Sequence, residues 1–331
     1  PQTWPRPAAS LLDWADHLSA LADAPAIAED ARFWHDWAPI PALPKDRPEA
    51  PPTWDSTAHA QRTLDAATTQ ALLTEAPRAY RTRIAELLTA LALTIRAWTG
   101  TPVCRIAVEG HGRPERAGAP DLSGAVGWFT AIYPVQLSLP DGDNLGAALK
   151  AVKEQLRAVP GAGLAYGLRR HVARDPALAG TEAEIAFNYL GQFGGLGRDA
   201  AHAQAPFGFA PEGTGASQCV DGTRAHALDV NGWVADGALT LSWSYSTRQY
   251  DTASVARLAD MLVGTLTRLV RHCTDPAHFG YTPSDLPLAR LDQRRLDKLA
   301  VRLGPGIEDL YPLSPMQAGM AFHSLSDLSV A

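Results

Sequence analysis

Apolar residues recur every three or four positions over several stretches and alternate with polar ones over others, so helices and strands are both expected. In SLLDWADHLSALAD, Leu11, Trp14, Leu18 and Leu21 share one helical face behind Ser10, a side chain suited to an N-cap. AEDARFWHDW continues helically. RIAELLTALALTIRAWTG is apolar nearly all round and ends at Gly100, which predicts a buried helix closed by a glycine. Helical spacing returns with Leu145, Leu149, Val152 and Leu156, and then with Val255, Leu258, Leu262, Leu266 and Leu269. The last series is amphipathic and suited to covering a sheet. VCRIAVEG, AIYPVQLSL and EAEIAFNYLG read as short strands, and HALDVNGWVADGALTLSWSY as a hairpin turning at Asp236-Gly237. In its second arm Leu239, Leu241, Trp243 and Tyr245 alternate with polar residues and form one core face. APIPALPKDRPEAPPTW holds more proline than a helix or central strand tolerates, so an extended crossing segment or linker is expected there.

Composition narrows the classes. The 331 residues, 46% of them hydrophobic, suit about two domains or one large globular one. A net charge of -6 with scattered Lys and Arg argues against a nucleic-acid partner. Cys104, Cys219 and Cys273 lie far apart and form neither a C-x-x-C pair nor a disulfide framework, which suits a reducing cytoplasm. No apolar run approaches the roughly 18 residues that span a bilayer, so a soluble, cytoplasmic chain without membrane contact is expected. The sequence opens at Pro1 rather than Met and stops inside a helical pattern at SDLSVA, from which a piece of a longer protein is expected.

Glu109 is the sharpest chemical candidate. A carboxylate at the end of an apolar strand, between Val108 and the glycines Gly110 and Gly112, is partly desolvated while the backbone stays close-packed. Desolvation raises a carboxyl towards the range useful for proton transfer. His111 and Arg113 stand ready to orient it or hold charge nearby; a solvated turn whose charges face water fits the same spacing. FNYLGQF joins apolar residues to Asn188, Tyr189 and Gln192, which suit either a cavity wall or a strand end with a satisfied hydroxyl. WFTAIYP, which contains Tyr133, reads better as core packing than as a binding box. The ten histidines make no H-x-x-x-H pair and no His/Cys cluster, so no metal site is expected. Neither a phosphate-cradling P-loop nor a G-x-S-x-G elbow is present.

Taken in order, EGHGRP (109–114), GAVGWFTAIYP (124–134), PGAGLAYG (160–167) and FNYLGQF (187–193) resemble the successive motifs of the epimerization domain of nonribosomal peptide synthetases, a relative of the condensation domains. The likeness covers about residues 1–300, and the segment Ile307 to Leu325 resembles the opening of a following condensation domain. The resemblance implies a two-lobed α/β (α+β) fold like chloramphenicol acetyltransferase, its mixed sheet covered by helices, with a tunnel between lobes. Residues 1–50 would end the N-terminal lobe and include the Pro-rich crossing segment, 51–300 would form the C-terminal lobe, and 301–331 a linker and the start of the next domain. A peptidyl carrier protein would insert its phosphopantetheine arm, and the aminoacyl or peptidyl thioester would lose its Cα proton and regain it on the opposite face. No cofactor is bound directly; the partners are the carrier and the adjacent condensation domain.

Glu109 matches the family's catalytic glutamate, with His111, Arg113, Tyr133, Asn188 and Tyr189 along the tunnel. The glutamate's usual partner is the second His of an H-H-x-x-x-D-G motif in the other lobe, and no adjacent His pair occurs here. The chain alone is therefore expected not to epimerize. Gly124 and Ala125 stand where the family has Arg-Thr, Pro114 where it has Glu, and Ala165 where it has Gly. The substituted arginine would have been a cation able to stabilise charge on the reacting thioester. Two other readings stay open: a condensation-type acyl transferase, against which Glu109 within E-G-H-G-R argues, and a degenerate carrier-docking platform, which Gly124 favours.

Overall fold

The computed structural model describes residues 9–82, 84–113, 118–193, 215 and 218–328. Among them, helices and strands run in the order α1 (Leu11–Leu21), α2 (Pro25–His35), β1 (Thr57–Thr63), α3 (Ala66–Tyr80), α4 (Ala85–Thr99), β2 (Val103–Gly110), β3 (Ala131–Ser138), α5 (Leu145–Arg157), α6 (Leu164–Gly167), β4 (Ile185–Gln192), β5 (Leu228–Ala235), β6 (Ala238–Ser246), α7 (Thr252–Thr274), α8 (Gln293–Leu303) and α9 (Pro315–Leu328). The strands form one mixed sheet in the order β1-β6-β5-β4-β2-β3. β2, β4 and β5 are parallel; the other pairings in this order are antiparallel.

Register lines up whole rows of side chains across this sheet. Tyr133, Val108, Phe187, Val230, Trp243 and Ala60 form one row through all six strands. That row packs into the main core beneath α3, α4, α5 and α7. α4 lies deepest: every residue from Ala85 to Ile95 is buried, and the helix ends at Gly100 in the left-handed region, φ 73°. α7 lays Val255, Leu258, Leu262, Leu266 and Leu269 on the sheet, as the periodicity predicts, and all five are buried. The hairpin turns at Asp236-Gly237, φ 50° and 77°, the two positive angles of a type I′ connection.

α1 starts with a reciprocal cap. The Asp13 N–H donates to Ser10 Oγ at 3.2 Å, and Asp13 Oδ2 accepts from the Ser10 N–H at 2.8 Å. The helix rests Trp14 on Leu122, Ala125 and Phe129 in a small satellite core. Between α2 and β1 the Pro-rich segment is strapped down by ion pairs from Lys45 to Glu184 (2.7 Å) and from Arg47 to Asp251 (2.8 Å). β1 and α3 are elements that the hydrophobic pattern did not disclose. Only the small Ala58 and Ala60 of β1 pack on the core, so its alternation has almost no apolar contrast.

Candidate functional site

The sheet face turned away from the helices has the opposite character. Next to the buried row lies Ile132, Glu109, Asn188, Asn231, Ser242 and Gln61. On its other side come Pro134, Ala107, Ala186, Asp229, Ser244 and His59. At the N-terminal end of β2 this face is covered, because Arg105 is buried there and donates to Gly180 O and to Ala38 O, both at 2.6 Å. Towards the C-terminal end, where Glu109 sits, the cover stops and the carboxyl reaches solvent. Partial burial nevertheless pushes the Glu109 carboxyl above its ordinary value, and the His226 imidazole pulls in the other direction.

The glycines around Glu109 follow from close backbone approach. Gly112 has φ +65°, and a Cβ there would lie 1.4 Å from the Phe129 carbonyl oxygen. A Cβ on Gly163, φ +79°, would fall 2.0 Å from the Tyr133 ring. EGHGR and PGAG thus both close on GWFTAIYP, Gly112 admitting the Phe129 carbonyl and Gly163 the Tyr133 ring. Arg113 clamps the assembly: its guanidinium donates to Leu122 O and, at 2.9 Å, to Ala125 O, and lies 3.9 Å over the Phe129 ring. His111 Nδ1 accepts the Arg113 backbone N–H at 3.0 Å.

The six expected site residues therefore separate. Glu109 and Asn188 share the open face, each one residue beyond the last β2–β4 pair, Val108 and Phe187. His111 is exposed at the turn after β2. Arg113, expected along a tunnel, instead directs its donors into the 122–125 backbone. Tyr133 stands in the helix-side row, half-buried against two cores, and burial raises its hydroxyl. Tyr189 is a further correction, since it pairs with Gly232 and Leu241 on the helix side, opposite to Glu109. Its hydroxyl is buried without a partner among the described residues, beside Glu86 in a cavity of about 50 Å³. Trp128, expected in the core, is 82% exposed, whereas Phe129 is buried. Pro114 lies outside the described residues; Gly124 is exposed.

Sequence reasoning missed His226, Asp229 and Arg224. His226 Nδ1 lies 3.1 Å from Asp229 Oδ1, and Arg224 meets Asp229 Oδ2 at 2.5 Å. The spacing R-x-H-x-x-D at the start of β5 was the available signal, but it has no meaning until the sheet sets β5 near β2. Among the described residues no group of three His, Cys, Asp or Glu side chains is placed to hold a metal ion. No described helix is long and apolar enough to cross a membrane.

A condensation-domain family model matches residues 2–285. The chain belongs to the condensation-domain family. Within that family it is 43% identical over 337 residues to chondramide synthase cmdD of Chondromyces crocatus, a match that covers 98% of this chain and 8% of that protein. It is 40% identical over 332 residues to a linear gramicidin synthase of Brevibacillus parabrevis, covering 98% of this chain and 4% of that protein. The chain thus spans a small part of these relatives. Among solved structures it resembles the epimerization domain from the third module of tyrocidine synthetase B, with 34% identity, a TM-score of 0.73, and coverage of 82% of this chain and 61% of that one. The mixed six-stranded sheet with its helices is the fold of the condensation and epimerization domains of nonribosomal peptide synthetases.

Proposed function

We propose that this condensation-family chain forms the C-terminal lobe of an epimerization domain, with 1–50 ending the other lobe and 301–331 leading into a condensation domain. It would invert Cα of an aminoacyl or peptidyl thioester held on the phosphopantetheine arm of a carrier protein. Glu109 carries the reading: a carboxyl raised by partial burial, at the open end of β2, on a polar face beside Asn188. In the ionised form it takes the Cα proton; the freed electron pair moves onto the thioester oxygen as an enolate, and a proton returned to the opposite face of Cα completes inversion. Asn188, next in line on that face, is a neutral donor suited to the enolate oxygen. The group for the opposite face is assigned to the family's His-pair motif; no adjacent His pair occurs in these 331 residues, so the chain by itself is expected to be inactive. Support comes from the four ordered motifs and from the 34% identity to an epimerization domain of known structure.

The test is exchange of the Cα proton with solvent deuterium on a carrier-loaded aminoacyl thioester, using the synthetase that carries this chain. Glu109→Gln should lower exchange by about 10²- to 10⁴-fold, the usual weight of a general acid–base group. Exchange that survives the substitution undiminished sinks the role of Glu109. The breadth of the matched family favours one second reading, amide formation. It predicts a condensed product without Cα exchange in the same assay.

A further inference from the structure

Glu109 stands between an aliphatic and an amide side chain. On β3 its partner in register is Ile132, so the two side chains leave the same face with Cβ atoms about 4.5–5.5 Å apart. On the β4 side its neighbour is Asn188, across a strand spacing of about 4.8 Å. Ile132 is 52% exposed and belongs to none of the apolar clusters among the described residues. The rest of its row is polar, so an isoleucine opposite the carboxyl is out of keeping with its surroundings.

The apolar surface continues along the segment that enters β3. Trp128 lies four residues before Ile132, is likewise outside the clusters, and shows most of its side chain to solvent. Its neighbours are fixed. Phe129 is buried in the satellite core with Trp14, and its carbonyl oxygen lies against Gly112. A Cβ on Gly127 would fall 3.2 Å from the Phe129 ring and 3.3 Å from Leu11 Cδ2, so that residue is pressed against α1. The indole is therefore held outward by packed residues on both sides.

Chemistry says what such a surface meets. A base that takes a Cα proton comes within hydrogen-bond reach of it, and the other three substituents of that carbon begin about 1.5 Å away. Side chains about 5 Å to either side of Glu109 therefore meet those substituents. The substrate nitrogen and the thioester oxygen suit the amide of Asn188; the substrate side chain suits the isoleucine and the indole. An enolate is planar at Cα, so the side chain keeps its place while the proton leaves one face and returns to the other.

We propose that Ile132, with Trp128 beyond it, seats the side chain of the residue being inverted, and that this side chain is apolar. The inference deepens the epimerization reading and rests on it. The test uses the synthetase that carries this chain, its carrier loaded from leucyl- or asparaginyl-coenzyme A. These two side chains are alike in size and branching and opposite in polarity. Deuterium exchange at Cα should favour leucyl by about 10-fold or more in kcat/KM, a margin within reach of an apolar pocket. In Ile132→Asn that ratio should fall towards one, in Trp128→Ala it should also fall, and in Ile132→Val it should persist. Because the ratio is taken within one protein, a smaller folded fraction does not change it.

A wild type indifferent to polarity, or one that prefers asparaginyl, overturns the proposal. So does an Ile132→Asn variant that slows both substrates equally, which would place the other lobe of the domain on Ile132. In each of those cases exchange still occurs and the epimerization reading stands. If no exchange is seen, but amide product forms with a leucyl preference that Ile132→Asn removes, the seat stands and the epimerization reading falls. Absence of both exchange and preference overturns both.

Discussion

The two faces of the sheet are one residue apart in sequence and opposite in chemistry. On the helix side, Val108, Phe187, Val230 and Trp243 are buried in a continuous core. On the other, Glu109, Asn188, Asn231 and Ser242 form a polar row, although every one of them follows or precedes a core residue on the same strand. Antiparallel sheets often solvate one face, but parallel strands such as β2, β4 and β5 are usually apolar on both. Here the parallel centre is two-sided, so its polar row is not explained by folding needs. The contrast separates what holds the sheet from what lines its other side: apolar area beneath the helices forms the core, and the opposite row carries polar groups outside it.

The contrast can be broken from the core side. Leu266, fully buried on α7, should cost about 2–5 kcal/mol as Leu266→Ala, read by denaturant unfolding. The Glu109 titration in the surviving folded protein should be unchanged. A loss below about 1 kcal/mol would mean that the helical layer is not the main support of the sheet.

Glu86 sharpens the comparison, because it is a carboxyl on the wrong face. It is 1% exposed within α4 beside Thr82, and burial raises it to about 7. A carboxyl raised on folding contributes its stability below the unfolded value of about 4.3 and loses it as pH climbs through about 7. Glu86→Gln cannot ionise. It should therefore be more stable than the wild type at pH 8, by on the order of 3 kcal/mol, and nearly equal to it near pH 4. Thermal unfolding at the two pH values checks this; parallel curves for both proteins would show that Glu86 stays neutral or is solvated. The smallest effect is expected on the open face. Asn231→Ala should change stability by no more than about 0.5 kcal/mol in the same unfolding assay. A larger loss would show that the polar row contributes to the fold after all.

Much of the core was legible because it repeats. The α7 series, the all-apolar α4 with Gly100, the Ser10 cap and the Asp236-Gly237 turn each state their structure within a few residues. The place of Glu109 at the end of β2 was legible for a similar reason, as a lone carboxylate between an apolar strand and two glycines. What stayed hidden depends on distant pairing. Tyr189 and Asn188 are adjacent in FNYLGQF, and only the sheet register shows that one faces the helices and the other Glu109. Arg113 looked like a tunnel cation until the backbone carbonyls of Leu122 and Ala125 came within its reach. Glu109 and Ile132 lie on separate strands, and only the β2–β3 register makes them neighbours.

β1 pairs with β6 across a gap of 181 residues between Gln61 and Ser242. At about 5–20 residues per second, a ribosome would finish β1 roughly 10–40 s before its partner strand exists. During that interval it is an orphan edge, the kind of segment that invites pairing with strangers. TAHAQRT, with Thr57, His59, Gln61 and Thr63 facing one way and Ala58, Ala60 and Arg62 the other, offers such strangers little to hold. The weak pattern that conceals β1 from a reader of the sequence also protects the nascent chain while it waits.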